Sequence, residues 1–522
     1  MKKKFDYAKK LIALAMTGAM LLTGCGTGEK ASKGDYTLVT NNNPGEYKIT
    51  EEPTELTLFY IRTDSKKQEE LAIWQEIAKI TNVSLKTVNS VNVSDKAQAF
   101  NVLMASGELP DIIVYDDGIK KGAEYGMKGA LAKIDELISD DTPNLKREFE
   151  RAVVKNKITA ADGHIYYIPK LQPEGIAARG WFVRQDWLDK LGLQQPTNTE
   201  EYYQVLKAFR EQDPNGNGQK DEVPYFSRFN GSGVADLLTL WDVREQWDVK
   251  DGKVVYTPAT KEYVDAYTNI QKWYAEGLID KEIYTRGGKS RDKLLGDNVG
   301  GSTHDWFGST AQFNDMLADT VPGINMVPIV PPNGKEYYLR DVVTDAGIMI
   351  SNKSDKKEVA IRFIDFIFSE QGTLFSNFGI EDVHYDMKDG KPYYKDFVIH
   401  GDKTAINVLN EAGAGSQFSY IQDFWYEEQW LTPIAKEGMQ TYHDGYLAEA
   451  FPTLPYTPEE KEEFGKLLTA VKTHVDETTQ KWVFGTGNPS QDYDTYLAQL
   501  KTLGVDRLVE IQQAAYDRYI AQ

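Results

Sequence analysis

The chain has 522 residues, with 79 acidic against 59 basic side chains, a formal charge of −20 and a single cysteine. So acidic a surface repels phosphate backbones and argues against nucleic acid as a partner, while one thiol rules out a disulfide within the chain. The length exceeds what one hydrophobic core serves and predicts two lobes.

Lysines 2, 3, 4, 9 and 10 precede the apolar run Leu11 to Leu22, which is too short to span a bilayer and has the shape of a signal peptide. Leu22-Thr23-Gly24-Cys25 resembles a bacterial lipoprotein cleavage box. The resemblance implies loss of residues 1–24, a diacylglyceryl group on Cys25, and anchoring to the outer face of the bacterial cytoplasmic membrane. A chance buried cysteine is the alternative. Residues 25–53, with Gly, Ser, Thr and Asn41-Asn42-Asn43-Pro44, have the composition of a flexible tether.

Glu55 to Ile61 alternates as a strand does, and Ser65 to Ile80 sets Leu71, Trp74, Ile77 and Ala78 on one helical stripe. Val83 to Val88 alternates again. A helix from Ser94, carrying Phe100, Leu103 and Met104, ends at Gly107 before the apolar run Asp111 to Val114. This alternation predicts a doubly wound α/β sheet, in which ligands sit off the carboxyl ends of the strands. Tyr60 to Asp64 and Tyr115-Asp116-Asp117 then fall at a cleft rim, with Tyr60, Asp116 and Asp117 as candidate ligand contacts. Solvated loops are the alternative for each.

Asp213 to Pro224 sets oxygen-bearing side chains at alternate positions between glycines and closes on two carboxylates. Calcium takes six to eight oxygen ligands in a flexible shell. The candidates are Asp213, Asn215, Asn217, the Gln219 carbonyl, Asp221 and Glu222, with Gly216 and Gly218 allowing positive φ. Pro224 stands where an EF-hand has its bidentate glutamate, so the loop reads as a structural calcium site of another kind. A solvated Asn-Gly turn is the alternative.

Downstream, Asp345 to Ile350 reads as a strand and Ser354 to Gly372 as one capped helix, with Val359, Phe363, Ile364 and Ile367 apolar. Helices close the C-terminal end.

Phe182-Val183-Arg184-Gln185-Asp186-Trp187-Leu188-Asp189-Lys190-Leu191-Gly192, the loop that follows and Asp162 to Pro169 together resemble the extracellular solute-binding lipoproteins of ABC importers. Within them the similarity is greatest to the LplA-like and alginate-oligosaccharide-binding branch. It implies an α/β fold of the two-lobed, type II periplasmic-binding-protein kind, hinged and with discontinuous lobes. The first lobe would be 54–170 and 343–412. The second would be 171–342, with the calcium loop at 213–224, and 413–522. Crossings are expected near Pro169, Asp341 to Ala346 and Gly413. The resemblance also implies a monomer that captures an oligosaccharide by hinge closure and presents it to permease subunits.

Gly300 to Phe307 resembles the family's turn that delivers an aromatic into the cleft, and Phe424-Trp425-Tyr426 an aromatic element of maltodextrin-binding proteins, from which Glu427 departs. Trp306 and Trp425 are therefore expected on the second lobe's side as stacking platforms, opposite Asp116 and Asp117. Core placement is the alternative for both.

Gly-x-Ser-x-Gly, His-Glu-x-x-His and a phosphate-binding loop are absent, and the six histidines are scattered, so no enzyme is expected. A glycosidase's paired acids remain available in so acidic a chain. The 10 Trp and 30 Tyr suit the apolar faces of sugars. A peptide or another solute is the alternative ligand. An acidic sugar would require cations, for which Arg62, Arg179 and Arg340 are candidates.

Overall fold

Alternating buried and exposed positions in Thr54–Phe59 and Val83–Thr87 lay two strands side by side, and the wholly apolar Ile112–Val114 inserts next to them. The computed structural model describes residues 36–39 and 45–521, except 63, 94, 402, 416 and 417. In chain order its strands are β1 (Thr54–Phe59), β2 (Val83–Thr87), β3 (Ile112–Tyr115), β4 (Ile168–Leu171), β5 (Arg179–Arg184), β6 (Val223–Tyr225), β7 (Trp247–Lys250), β8 (Lys253–Tyr256), β9 (Gly300–Trp306), β10 (Met326–Ile329), β11 (Val343–Ile350), β12 (Tyr385–Lys388) and β13 (Lys391–Tyr394).

The first sheet has the order β2-β1-β3-β11-β4. β1 runs parallel to β2 and β3, and β11 returns antiparallel to β3 and β4. Helix Lys96–Ser106 starts on Asp95, whose side chain accepts the Gln98 N–H, and stops at Gly107 with φ +68°. The helix predicted from Ser65 begins only at Ala72. Glu69 Oε2 accepts the N–H and hydroxyl of Thr87, which pins residues 68–70 to β2 as a separate 3₁₀ turn. The single helix predicted over 354–372 is two, Lys357–Ile367 and Glu370–Phe378, because Ser369 caps the second by accepting the Gly372 N–H.

The second sheet has the order β10-β5-β9-β6. Every position of β5 is buried, since helices cover both faces. Helices Pro458–Val483, Pro489–Thr502 and Val505–Ile520 pack with Lys261–Ala275 on this sheet's side, contributing Val471, Trp482, Leu500 and Leu508 to its core.

Two lobes follow from where the cores lie. One draws on Ile49 to Leu171 and again on Val342 to Tyr426. The other, through two clusters, draws on Ala177 to Ile329 and on Leu431 to Leu508. The chain therefore crosses at about 172–176, 330–341 and 427–430, the last of these some way beyond the predicted Gly413. Ala414, Phe418, Tyr420 and Tyr426 are buried in the first core, and the Gly413 carbonyl accepts the indole N–H of Trp74 at 3.1 Å, which ties that segment to the first lobe.

The predicted tether also needs correction. Ile49 and Thr50 are buried, Ile49 donates to the Thr81 carbonyl, and Tyr47 sets its ring edge-on to Phe366, so residues 45–53 are packed on the first lobe. Their Gly and Asn content masked these apolar anchors. The signal peptide and Cys25 lie outside the described residues.

Candidate functional site: the interlobe cleft

Both sheets aim strand ends at the crossings. On the first, Tyr115 ends β3 opposite Gly347, and Leu171 ends β4 opposite Val343. On the second, the start of β5 pairs with the end of β9, setting Arg179 against Trp306. The crossings are laced by backbone hydrogen bonds: Leu171 donates to Tyr420, Gln422 to Leu171, Gln172 to Val342 and Arg340 to Ile176, all at 2.8–2.9 Å. Beside them a cavity of about 530 Å³ takes Lys157 and Val343 from one lobe and Arg244 and Phe451 from the other. Its size is that of a small-ligand site.

Trp306 is the half-buried last residue of β9, whose preceding residues are all buried. The segment predicted as a loose turn is thus a packed strand. A Cβ on Gly301 would meet Phe209 at 2.7 Å, so that glycine serves close packing. The Arg340 guanidinium lies 5.6 Å from the Trp306 ring and 5.5 Å from that of Phe424. It forks onto Glu427 through three contacts of 2.9–3.2 Å.

Beneath Trp306 lies a buried ionic network. Arg179, held between the rings of Phe229 and Tyr338 at 4.2 and 4.4 Å, donates to Asp236 and to the His304 carbonyl. His304 Nδ1 is 3.3 Å from Asp236 and Nε2 is 3.1 Å from Glu336. Burial pulls the imidazole's pKa down, but the carboxylates of Glu336 and Asp236 carry it above its ordinary value. Asp236 is held below the usual carboxylate range by Arg179 and His304 despite its burial. Next in the strand, Asp305 binds Arg228 at 2.8–3.0 Å and Arg291 at 3.1 Å. On the first lobe, burial pushes the Lys170 ammonium down to about 8, and it rests 4.9 Å from the Tyr420 ring.

Of the five predicted contacts, Asp116 is exposed at the rim, 3.3 Å from Lys96, and Asp117 is half-buried at the start of helix Gly118–Gly126. Tyr60 is only 5 % exposed and lies in the first core, edge-on to Phe418, because its backbone is bound to Asn89. Trp425 belongs to the first lobe, not the second: it donates to the Pro392 carbonyl at 2.8 Å and packs edge-on against Tyr393 of β13. Sequence reasoning named Phe424 only as part of an aromatic run and missed Tyr338 and the partner role of Glu427. That last residue was visible only as a departure from a motif.

Of the predicted calcium ligands, Asp213, Asn215, Asn217 and Asp221 are joined by hydrogen bonds, but among the described residues no group of three His, Cys, Asp or Glu side chains is placed to hold a metal ion. Asp213 accepts the N–H groups of Gly216, Asn217 and Gly218 at 2.9–3.1 Å, and Asp221 accepts the amides of Asn215 and Asn217 at 3.0–3.2 Å. Asp213 itself, Gly216 and Gly218 have positive φ. The Gln219 N–H donates to Asn217, and Lys190 donates to the Pro214 carbonyl at 2.7 Å. Glu222 is 2 % exposed and neither carboxylate oxygen has a hydrogen-bond partner. Burial, then the charges of Asp221 and Asp213, push its carboxyl up.

Residues 63–374 match the model of the bacterial extracellular solute-binding protein family. The chain is 26 % identical to the fructooligosaccharide ABC transporter substrate-binding protein FusA of Streptococcus pneumoniae, over 99 % of each chain. It is 27 % identical to the lipoprotein LipO of Bacillus subtilis over 74 % of this chain and 75 % of that one. Among solved structures it superposes on the alginate-binding protein AlgQ2, in its form without calcium ion, with a TM-score of 0.80 and 37 % identity over 90 % of this chain and 99 % of the other. With two hinged α/β lobes flanking a ligand-sized cleft, the chain belongs to the extracellular solute-binding proteins of bacterial ABC importers.

Proposed function

We propose that this protein captures an oligosaccharide between its lobes, closes on it by rotation at the three crossings and presents it to permease subunits. The observation that carries the reading is the wall of Trp306, Phe424 and Arg340 at the crossings. Aromatic faces lie well on the C–H faces of sugars, while guanidinium groups and the rim carboxylates Asp116 and Asp117 take hydroxyls. FusA and AlgQ2, binders of fructooligosaccharide and alginate, support the ligand class. The buried acids of the cleft serve ion pairs, which speaks for a binding site and against catalysis.

Thermal-shift screening against neutral and acidic oligosaccharides tests the reading. A ligand at a hundredfold its dissociation constant adds ~2.7 kcal/mol of stability. A panel in which amino acids and peptides shift melting and saccharides do not would refute it.

We infer that the 213–224 loop holds a calcium ion; a buried carboxylate without a partner, under the charges of two further acids, supports that reading. Asp213, Asn215, Asn217, the Gln219 carbonyl, Asp221 and Glu222 would hold it. Bound calcium would supply the charge that lets these acids share one loop, a stabilising role remote from the sugar. The AlgQ2 form described as lacking calcium lends support by likeness.

A diacylglyceryl anchor on Cys25 at the outer face of the cytoplasmic membrane completes the proposal, supported by the similarity to the lipoprotein LipO. Mass spectrometry that finds residues ahead of Cys25 in the mature protein would contradict it.

A further inference from the structure

The arginines around the cleft are already committed to carboxylates of the protein itself. Arg62 holds both oxygens of Asp64 at 2.8 Å at the first rim. On the second lobe Arg179 binds Asp236, Arg228 takes both oxygens of Asp305, and Arg340 forks onto Glu427. These pairs are costly to open. Asp236 and Asp305 are fully buried, and Arg340 and Glu427 have side chains only 4 % and 10 % exposed. An arginine that turned to a ligand carboxylate would leave a buried acid with one partner fewer, and for Glu427, whose paired cation is Arg340, with an uncompensated charge, which is strongly destabilising.

Lys170 makes no ion pair with a carboxylate among the described residues and rests on Tyr420. Its charged form is already disfavoured by burial and by the neighbouring Arg340. On the same rim of the first sheet, Asp345 and Asp117 are close enough that the charge of Asp117 helps raise the carboxyl of Asp345, after burial. That edge favours hydroxyl donors and opposes a second row of acids.

We propose, resting on the reading of the cleft as an oligosaccharide site, that its ligand is a neutral oligosaccharide and that the internal pairing of the arginines is what refuses uronates. The cleft thereby differs in ligand charge from the alginate-binding relative it superposes on. A sugar hydroxyl can still take a leftover N–H of a paired guanidinium, whereas a carboxylate competes for the whole fork.

Titration calorimetry on the full chain, with neutral gluco-, xylo-, galacto- and fructo-oligosaccharides of three to five units and with mannuronate, guluronate and galacturonate oligomers of the same lengths, tests this. At least one neutral series should bind at least 100-fold more tightly than every uronate. Glu427→Gln, which releases Arg340, should gain tenfold or more in uronate affinity, and the gain should fade in high salt. Should that variant melt below the assay temperature, Asp64→Asn, which releases Arg62, is read in the same way. A wild-type protein that binds a uronate as tightly as any neutral sugar overturns the inference and leaves the oligosaccharide reading standing. Binding of no saccharide at all overturns both.

Discussion

Trp306 is where β9 stops serving the core. The residues before it are buried, whereas its half-exposed indole lies under Arg340 at the lobe junction. Trp306→Ala should therefore weaken oligosaccharide binding by ~2 kcal/mol or more, as expected of an interface anchor. It should cost less folding stability than the ~3–5 kcal/mol of a core tryptophan. Calorimetry and melting on one variant separate these, and unchanged affinity in a stable variant would remove Trp306 from the site. Two positions away, His304 makes a pH prediction. It faces Asp236, Glu336, Arg179 and Tyr338, and it binds its proton more tightly folded than unfolded. Its contribution to stability is complete below its ordinary value of 6.5 and is lost as pH rises through the higher folded value. Melting temperature should fall between neutral and mildly alkaline pH more steeply in the wild type than in His304→Gln, and parallel curves would refute the assignment.

Among elements, the 213–224 loop has the sharpest consequence. Chelation should lower the melting temperature, and Glu222→Gln should remove most of the calcium dependence. Without calcium the raised carboxyl of Glu222 favours the fold only while protonated, so the chelated protein should lose stability as pH rises past 4.5 and through the higher folded value. Calcium should reverse that loss. Melts in chelator and in calcium across this range test the sign, and a protein indifferent to both would leave the loop a plain turn.

The same loop illustrates what the sequence makes legible. The candidate calcium ligands two residues apart, β1 and β2 with period two, and the stop at Gly107 are local patterns written in consecutive residues. The cleft is not local. Arg340 meets Glu427 across 87 residues and Arg179 meets Asp236 across 57, distances over which no periodicity carries information. Trp425 was misplaced for that reason. A motif identified its ring, but only the hairpin β12–β13, through Pro392 and Tyr393, decides which lobe holds it. Tyr60 failed in the opposite way, since a position one residue past β1 still packs inward when Asn89 fixes its backbone.

At the scale of the molecule, two cores joined by three adjacent crossings make a hinge with no large shared core to resist rotation. Some lobe-to-lobe contacts sit at its edge: Asn156 reaches the Thr453 carbonyl, and Lys461 donates to that of Thr159. Burial pushes the Lys461 ammonium down to about 8, as befits a cation held between lobes. Polar contacts of this kind can be broken and remade, which allows the ligand to set the balance between open and closed forms. Small-angle scattering, with and without a saturating amount of the neutral oligosaccharide that gives the largest melting shift, probes this directly. A smaller radius of gyration for a monomer with ligand bound is the predicted result. Superimposable profiles at proven saturation would contradict capture by closure of the two lobes.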